Sequence, residues 1–237
     1  MAEAPYKRVL LKLSGEMLTT PGTFGIEMEA MSSVTGEIAS VVSMGVQLGI
    51  VIGGGNFLRG KQLQDNPHID RVTADTMGML ATTMNAIALR DGLESAGVKA
   101  VVLGALAIDG VCDPVDIRRA RQLLDDGVVV ILAGGTGRPF FTTDTCAALR
   151  AAEIDADAVL KGTKVDGVYN KDPHVYDDAE RYHTLTYQQA LAERLGVMDL
   201  TAFSLCMDQD IPIVVFKLEP GSLQAVLRGE DVGTKVE

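Results

Sequence analysis

Val9-Leu10-Leu11-Lys12-Leu13-Ser14-Gly15 reads as an apolar strand that ends abruptly in small residues, and the chain repeats this pattern twice. Leu48 to Ile52 runs into Gly53-Gly54-Gly55-Asn56, and Val128 to Ala133 runs into Gly134-Gly135-Thr136-Gly137. A buried parallel strand followed by a loop without Cβ atoms lets backbone N–H groups approach an anion. The next helix aims its N-terminus at the same place. Three such loops predict a site for several phosphates.

Working outward, strand-like runs occur at Val9 to Leu13, Gln47 to Ile52, Ala100 to Leu103, Val128 to Leu132, Val159 to Leu160 and Ile213 to Phe216. They alternate with segments of helical period, which predicts a three-layer α/β/α sandwich around a central, mostly parallel sheet. The longest helical segment, about Val72 to Ser95, carries Met77, Leu80, Met84, Ile87 and Leu93 as its expected apolar stripe, with Gly97 as a stop. Asp113-Pro114 reads as N-cap and first residue of a helix from Pro114 to Asp126, with Arg118, Arg119 and Arg121 on a solvated face. No composition shift divides the chain, so 1–237 reads as one domain. Its glycine loops lie in a first half, approximately 1–155, and a more polar second half covers 156–237.

With 237 residues, 47% of them hydrophobic, the chain can fill a sizeable core. A net charge of -11 argues against a nucleic-acid partner, which needs a basic surface, but not against a small phosphorylated ligand held by local cations. No apolar run reaches the length of a membrane span, and Met1-Ala2-Glu3-Ala4-Pro5 lacks the layout of a signal peptide, so a cytoplasmic protein without a membrane partner is expected. Cys112, Cys146 and Cys206 are widely spaced in apolar surroundings and read as small buried hydrophobes in a reducing compartment. His68, His174 and His183 show no metal spacing.

Neither a Walker P-loop nor a G-x-G-x-x-G fingerprint occurs. Lys12 stands instead in a strand otherwise made of Val and Leu, where a buried ammonium costs several kcal/mol unless an anion lies beside it. Arg59 follows the triple glycine, and its fork of donors suits phosphate oxygens. Thr142, Thr143 and Asp144 precede the apolar Ala147-Ala148-Leu149, so one of them should cap a helix. The remaining hydroxyls are available to a polar ligand, and Asp144 could hold Lys12 in place or coordinate Mg2+ through water. The segment Lys161 to Pro173 reads as a polar, turn-rich stretch after a strand, with Tyr169 placed to suit a purine.

Lys12 to Glu16, Gly53 to Gly60, Asp75 to Thr82, Gly135 to Asp144 and Lys164 to Tyr169 resemble, in order and spacing, the bacterial uridylate kinases (UMP kinases) of the amino acid kinase superfamily. The resemblance continues to Met198-Asp199-Leu200-Thr201-Ala202-Phe203 and Arg228-Gly229-Glu230, nearly the whole chain. It implies the amino acid kinase fold and transfer of the γ-phosphoryl of MgATP to UMP, a step of pyrimidine and CTP biosynthesis, with Mg2+ carried on the ATP phosphates and no direct protein ligand. Lys12, Arg59 and Asp144 would be catalytic. Lys12, Leu13, Ser14, Gly15, Gly55, Arg59, Thr163, Tyr169 and Asp172 would bind ATP. Gly54, Asp75, Thr136, Gly137, Arg138, Pro139, Phe140, Phe141, Thr142 and Thr143 would bind UMP, with Asp75 on the ribose hydroxyls and the threonine loop on uracil.

The same resemblance implies a homohexamer inhibited by UTP and activated by GTP through Thr20, Pro21, Gly22, Thr23, Phe24 and Gly25. Departures from the pattern are Gly162, where the family usually has alanine, and the stretch Leu18 to Phe24. Lys164 and Arg138 are left open as further participants in catalysis. The alternatives are a superfamily member acting on a carboxylate or carbamate, and a nucleotide-binding regulator without catalysis. Neither would explain Lys12, Arg59, Asp75 and Asp144 together.

Overall fold

The computed structural model describes residues 5–20, 22–58, 68–171, 173, 175–196 and 198–237. Among these, nine strands form one sheet: β1 (Arg8–Leu13), β2 (Gln47–Ile52), β3 (Ala100–Gly104), β4 (Asp113–Pro114), β5 (Val129–Ala133), β6 (Ala158–Thr163), β7 (Thr184–Leu185), β8 (Ile213–Lys217) and β9 (Gly233–Val236). Their order is β4-β3-β5-β2-β1-β6-β8-β9-β7. Neighbouring strands are parallel, except that β9 runs antiparallel to β8. The expected α/β architecture is therefore present, and β1 lies centrally between β2 and β6.

The helices are α1 (Met28–Val42), α2 (Arg71–Ser95), α3 (Ile117–Asp125), α4 (Thr143–Glu153), α5 (Tyr187–Ala192), α6 (Leu200–Asp208) and α7 (Ser222–Leu227). Strand side chains alternate between faces. Val9, Leu11 and Leu13 of β1 join the core under α1, α2 and α7, whereas Leu10 joins the core under α3, α4, α5 and α6. Covering both faces makes a strand apolar at almost every position, so the runs in β1, β2 and β5 were legible as strands. Residue 12 shares the face of residue 10, which aims Lys12 toward α4.

Two expectations need correction. Asp113 and Pro114 do not begin a helix; they form β4, a short edge strand paired with Leu103 and Gly104. Proline lacks the N–H that an interior strand would need and is tolerated at an edge. The helix starts at Ile117 because the Asp116 carboxylate accepts hydrogen bonds from the N–H groups of Arg118 and Arg119. In α2 the buried face is not the stripe of largest side chains. Ala74, Met79, Ala81, Ala86, Leu89 and Leu93 are buried, while Leu80 and Met84 are 42% and 50% exposed. A helix that approaches the sheet and a glycine loop this closely needs small residues on its inner face.

Other features agree with the sequence. Gly97 follows α2 with φ +79°, and Cys146 and Cys206 are fully buried. Cys112 departs from the expected burial: it is only partly buried, its thiol toward the Leu106 carbonyl. Arg119 pairs with Asp113 and Arg121 with Asp155 on the outer side of α3. Among the described residues no helix is long and apolar enough to cross a membrane.

Candidate active site

The carboxyl ends of β1, β2 and β6 meet where the sheet's connections change direction, the usual place for a ligand in an open α/β sheet. Lys12 and Lys161 are register partners across β1 and β6, so their side chains leave the sheet side by side. Asp144, in the first turn of α4, accepts both: Lys12 Nζ lies 2.7 Å from Oδ1 and Lys161 Nζ 2.8 Å from Oδ2. The three side chains are 13–15% exposed, so water screens them little. The anion that a strand-borne Lys12 requires is therefore Asp144.

Burial alone would push the Asp144 carboxyl up, but the Lys12 and Lys161 charges overcome it and hold the group below the usual aspartate value. Lys161 is lowered as well, for a different reason. Burial, reinforced by the neighbouring Lys12 ammonium, depresses it below the usual lysine value against the pull of Asp144. Two ammonium groups around one carboxylate carry a net positive charge, and the N-terminus of α4 adds its positive dipole end. Such a cluster attracts a polyanion.

The N-terminus of α4 is built by hydroxyls and a distant carboxylate. Thr142 is the N-cap, its Oγ1 accepting from the N–H groups of Asp144 and Thr145. Asp199 in turn accepts hydrogen bonds from the Thr142 and Thr145 hydroxyls, and it caps α6 through the Ala202 N–H. One side chain thus ties two helix starts beside the lysines.

A cavity of about 260 Å³ opens on one side of the cluster. Gly54, Gly55, Asp75, Thr136, Arg138, Phe141, Thr142 and Thr143 line it, which unites most of the residues expected at the acceptor. Gly54 must be glycine here, because a Cβ would stand 2.8 Å from Ala81 Cβ and 3.0 Å from the Gly78 carbonyl oxygen. Asp75 projects from the first part of α2 and accepts from the Phe140 N–H at 2.7 Å and from Arg71 Nε at 2.9 Å. Phe140 adopts φ +72° and its ring, 63% exposed, lies under the Arg71 guanidinium. Phe140 therefore enters the site through its backbone.

On the other side, a cavity of about 670 Å³ is lined by Lys161, Thr163, Val168, Tyr169, Leu195 and Val215 among others. The Thr163 hydroxyl donates to the Val165 carbonyl, and the Tyr169 hydroxyl donates to Asp166 at 2.7 Å. Leu13 is fully buried, so only its backbone could meet a ligand, and its carbonyl already accepts from the Gly53 N–H. Ser14 caps the single turn Gly15–Leu18 through the Glu16 N–H. Gly55 lines the acceptor cavity and also a smaller one of about 240 Å³, with Glu16, Thr20, Thr23 and Lys164. Around that smaller cavity, Thr23 N–H closes a turn onto the Thr20 carbonyl, and Phe24 stands edge-on to Phe57.

Arg59, Asp172, Pro21 and His174 lie outside the described residues. Lys164 pairs with Glu16 at 3.1 Å, at the rim rather than in the central cluster. A further cavity, about 710 Å³, opens over β3 and β4 and gathers none of these side chains. Sequence reasoning passed over Lys161 and Asp199 as site residues. The signal for Lys161 was a second lysine at the end of an apolar run, Ala158-Val159-Leu160-Lys161, the same pattern that singled out Lys12.

A mostly parallel α/β sheet presents paired lysines and a carboxylate at the N-terminus of a helix, between two cavities, an arrangement suited to a two-substrate phosphotransferase. The amino acid kinase family model matches residues 7–217, and the chain belongs to that family. It is 51% identical over 232 residues to the uridylate kinase of Acinetobacter baylyi, covering 98% of this chain and 96% of that protein. It is also 51% identical over 233 residues to the uridylate kinase of Saccharophagus degradans, covering 98% and 94%. The solved UMP kinase of Bacillus anthracis superposes with a TM-score of 0.95 at 38% identity, covering 98% of this chain and 96% of that one.

Proposed function

We propose that this protein transfers the γ-phosphoryl group of MgATP to UMP, giving UDP and ADP. The observation that carries the reading is the Lys12–Asp144–Lys161 cluster between two cavities. Phosphoryl transfer asks the protein for alignment and for positive charge on the equatorial oxygens rather than for covalent chemistry. A phosphate acceptor is already ionised near neutral pH and needs no general base. Lys12 and Lys161 would neutralise the transferring group, each worth roughly 4 kcal/mol at 4 Å and an effective dielectric of 20 before desolvation. Asp144 would hold both lysines in reach.

The cavity at Asp75 and the threonine loop would take UMP, with Asp75 exchanging its present donors for the ribose hydroxyls. The cavity at Thr163 and Tyr169 would take the nucleoside of ATP, and the backbone of Ser14, Gly15 and Gly55 would face its phosphates. Arg59 and Asp172 are carried in these roles by resemblance alone. Among the described residues no group of three or more His, Cys, Asp or Glu side chains is arranged to hold a metal ion. In this reading Mg2+ would arrive on the triphosphate as part of the substrate.

The reading extends to a cytoplasmic homohexamer in pyrimidine nucleotide and CTP biosynthesis, inhibited by UTP and activated by GTP near Thr20 to Gly25. The outward stripe of α2, with Leu80 and Met84, supports self-association, because soluble proteins seldom leave such stripes uncovered. The test of the activity is an assay of ADP release from MgATP with UMP, CMP, dCMP, glutamate and aspartate as separate acceptors. Preference for UMP is expected; preference for any other acceptor overturns the reading.

A further inference from the structure

Two amides, Asn56 and Asn85, face each other beneath the glycine loops with 4% and 0% of their surface exposed. They exchange hydrogen bonds head to head: Asn56 Nδ2 donates to Asn85 Oδ1 at 2.9 Å, and Asn85 Nδ2 donates to Asn56 Oδ1 at 2.7 Å. Each Nδ2 has one N–H left. Asn56 gives it to the Gly25 carbonyl at 2.8 Å, and Asn85 gives it to the Gly53 carbonyl at 2.7 Å. The Gly25 N–H returns a bond to the Asn56 carbonyl at 3.0 Å. Every donor of the pair is used, and the pair's outer bonds go to backbone.

The first glycine loop rests on the same pair. A Cβ on Gly15 would stand 2.5 Å from Asn56 Oδ1, 2.5 Å from the Gly53 carbonyl oxygen and 2.9 Å from Asn85 Nδ2. The turn after Lys12, the loop containing Gly54 and Gly55, and the segment at Gly25 therefore converge on two side chains. Asn85 belongs to α2, the helix that also presents Asp75 to the acceptor cavity. A leucine pair would fill similar volume without a buried polar network, but it would leave the two loops unregistered against α2. Amides directed at backbone carbonyls fix both distance and orientation.

We infer that Asn85, acting through Asn56, is a positioning residue that sets the two phosphate-facing glycine loops against α2, so that donor and acceptor phosphates meet in line. This rests on the proposed phosphoryl transfer. Fully buried, Asn85 touches no substrate, and its effect is on alignment. Loss of alignment in a reaction that depends on it lowers kcat more than it weakens binding.

The experiment uses the full chain in two variants: Asn85→Leu, which removes the amide, and Asn85→Gln, which moves it outward by one methylene. For each folded variant, kcat and KM for UMP and ATP are measured well below its melting temperature, together with hydrogen exchange at residues 15, 25 and 53–56. We expect kcat to fall at least about tenfold with KM values changed less than about threefold, and exchange to rise at those amides while the central strands stay protected. A kcat within about twofold of the parent with unchanged exchange at those amides overturns the inference, and a fall in melting temperature alone does the same. If the parent itself fails to phosphorylate UMP, the proposed function fails, and the exchange measurement still decides whether Asn85 holds the two glycine loops in place.

Discussion

Lys12 and Lys161 stand opposite each other in the ladder of β1 and β6, and both ammonium groups close on the single carboxylate of Asp144. Neighbouring parallel strands place register partners about 5 Å apart, so two lysines at paired positions repel unless a carboxylate lies between them. The first turn of α4 supplies it. In the proposed reaction these two cations would stand ready where charge develops on the transferring phosphoryl group.

Replacing Asp144 by asparagine removes the anion that both lysines share. Breaking a buried ion pair from one side costs about 3–5 kcal/mol, so Asp144→Asn should melt well below the parent and lose most of its turnover. Calorimetry and steady-state kinetics on the purified variant check both; a parent-like melting temperature would contradict the arrangement.

Lys161 carries a prediction that the sequence alone did not suggest. Lys161→Met should lower kcat at least about tenfold, as expected when a preorganised charge on the transition state is lost, and it should raise KM for ATP. Near-normal kinetics would show that Lys161 is dispensable for the transfer.

The pH dependence of stability follows from the directions of the two shifts. Asp144 binds its proton less readily folded than unfolded, so its contribution is complete above the unfolded aspartate value and is lost as pH falls through the lower folded value. Lys161 is also depressed, so between its folded value and 10.5 the unfolded chain holds a proton that the folded chain has released. Its contribution to stability therefore grows as pH rises through that window. Calorimetric melting from neutral to alkaline pH should show a smaller rise, or a steeper loss, in Lys161→Met than in the parent.

Asp75 meets Phe140 and Arg71 but lines the acceptor cavity. Asp75→Asn keeps an oxygen for the Phe140 N–H but loses the charge, and KM for UMP should rise roughly tenfold, the scale of one charged hydrogen bond. KM for ATP should change little. The reverse pattern would exchange the two nucleotide sites.

Much of this architecture was legible from the chain. Strands buried on both faces write themselves as continuous apolar runs, and a lysine inside one, Lys12, announces an anionic partner, for which Asp144 is already a candidate in the sequence. Lys161 was hidden because Gly162, Thr163 and Lys164 make its surroundings read as a polar turn, and only the register with β1 reveals that it is the twin of Lys12. Asp199 was hidden for a different reason: it lies 57 residues from Thr142, and a cap shared between two helices leaves no local trace. The phase of α2 is not legible in the sequence because periodicity weights large side chains, whereas the close approach to Gly54 selects Ala81 and its small neighbours.

The central claim is transfer from ATP to the phosphate of UMP, and phosphorus-31 NMR of a mixture of the protein, MgATP and UMP tests it most directly. Equal growth of UDP and ADP signals, abolished or slowed at least about tenfold in Lys12→Ala, is the predicted result. Release of inorganic phosphate without UDP, or UDP formation undiminished in Lys12→Ala, would contradict it.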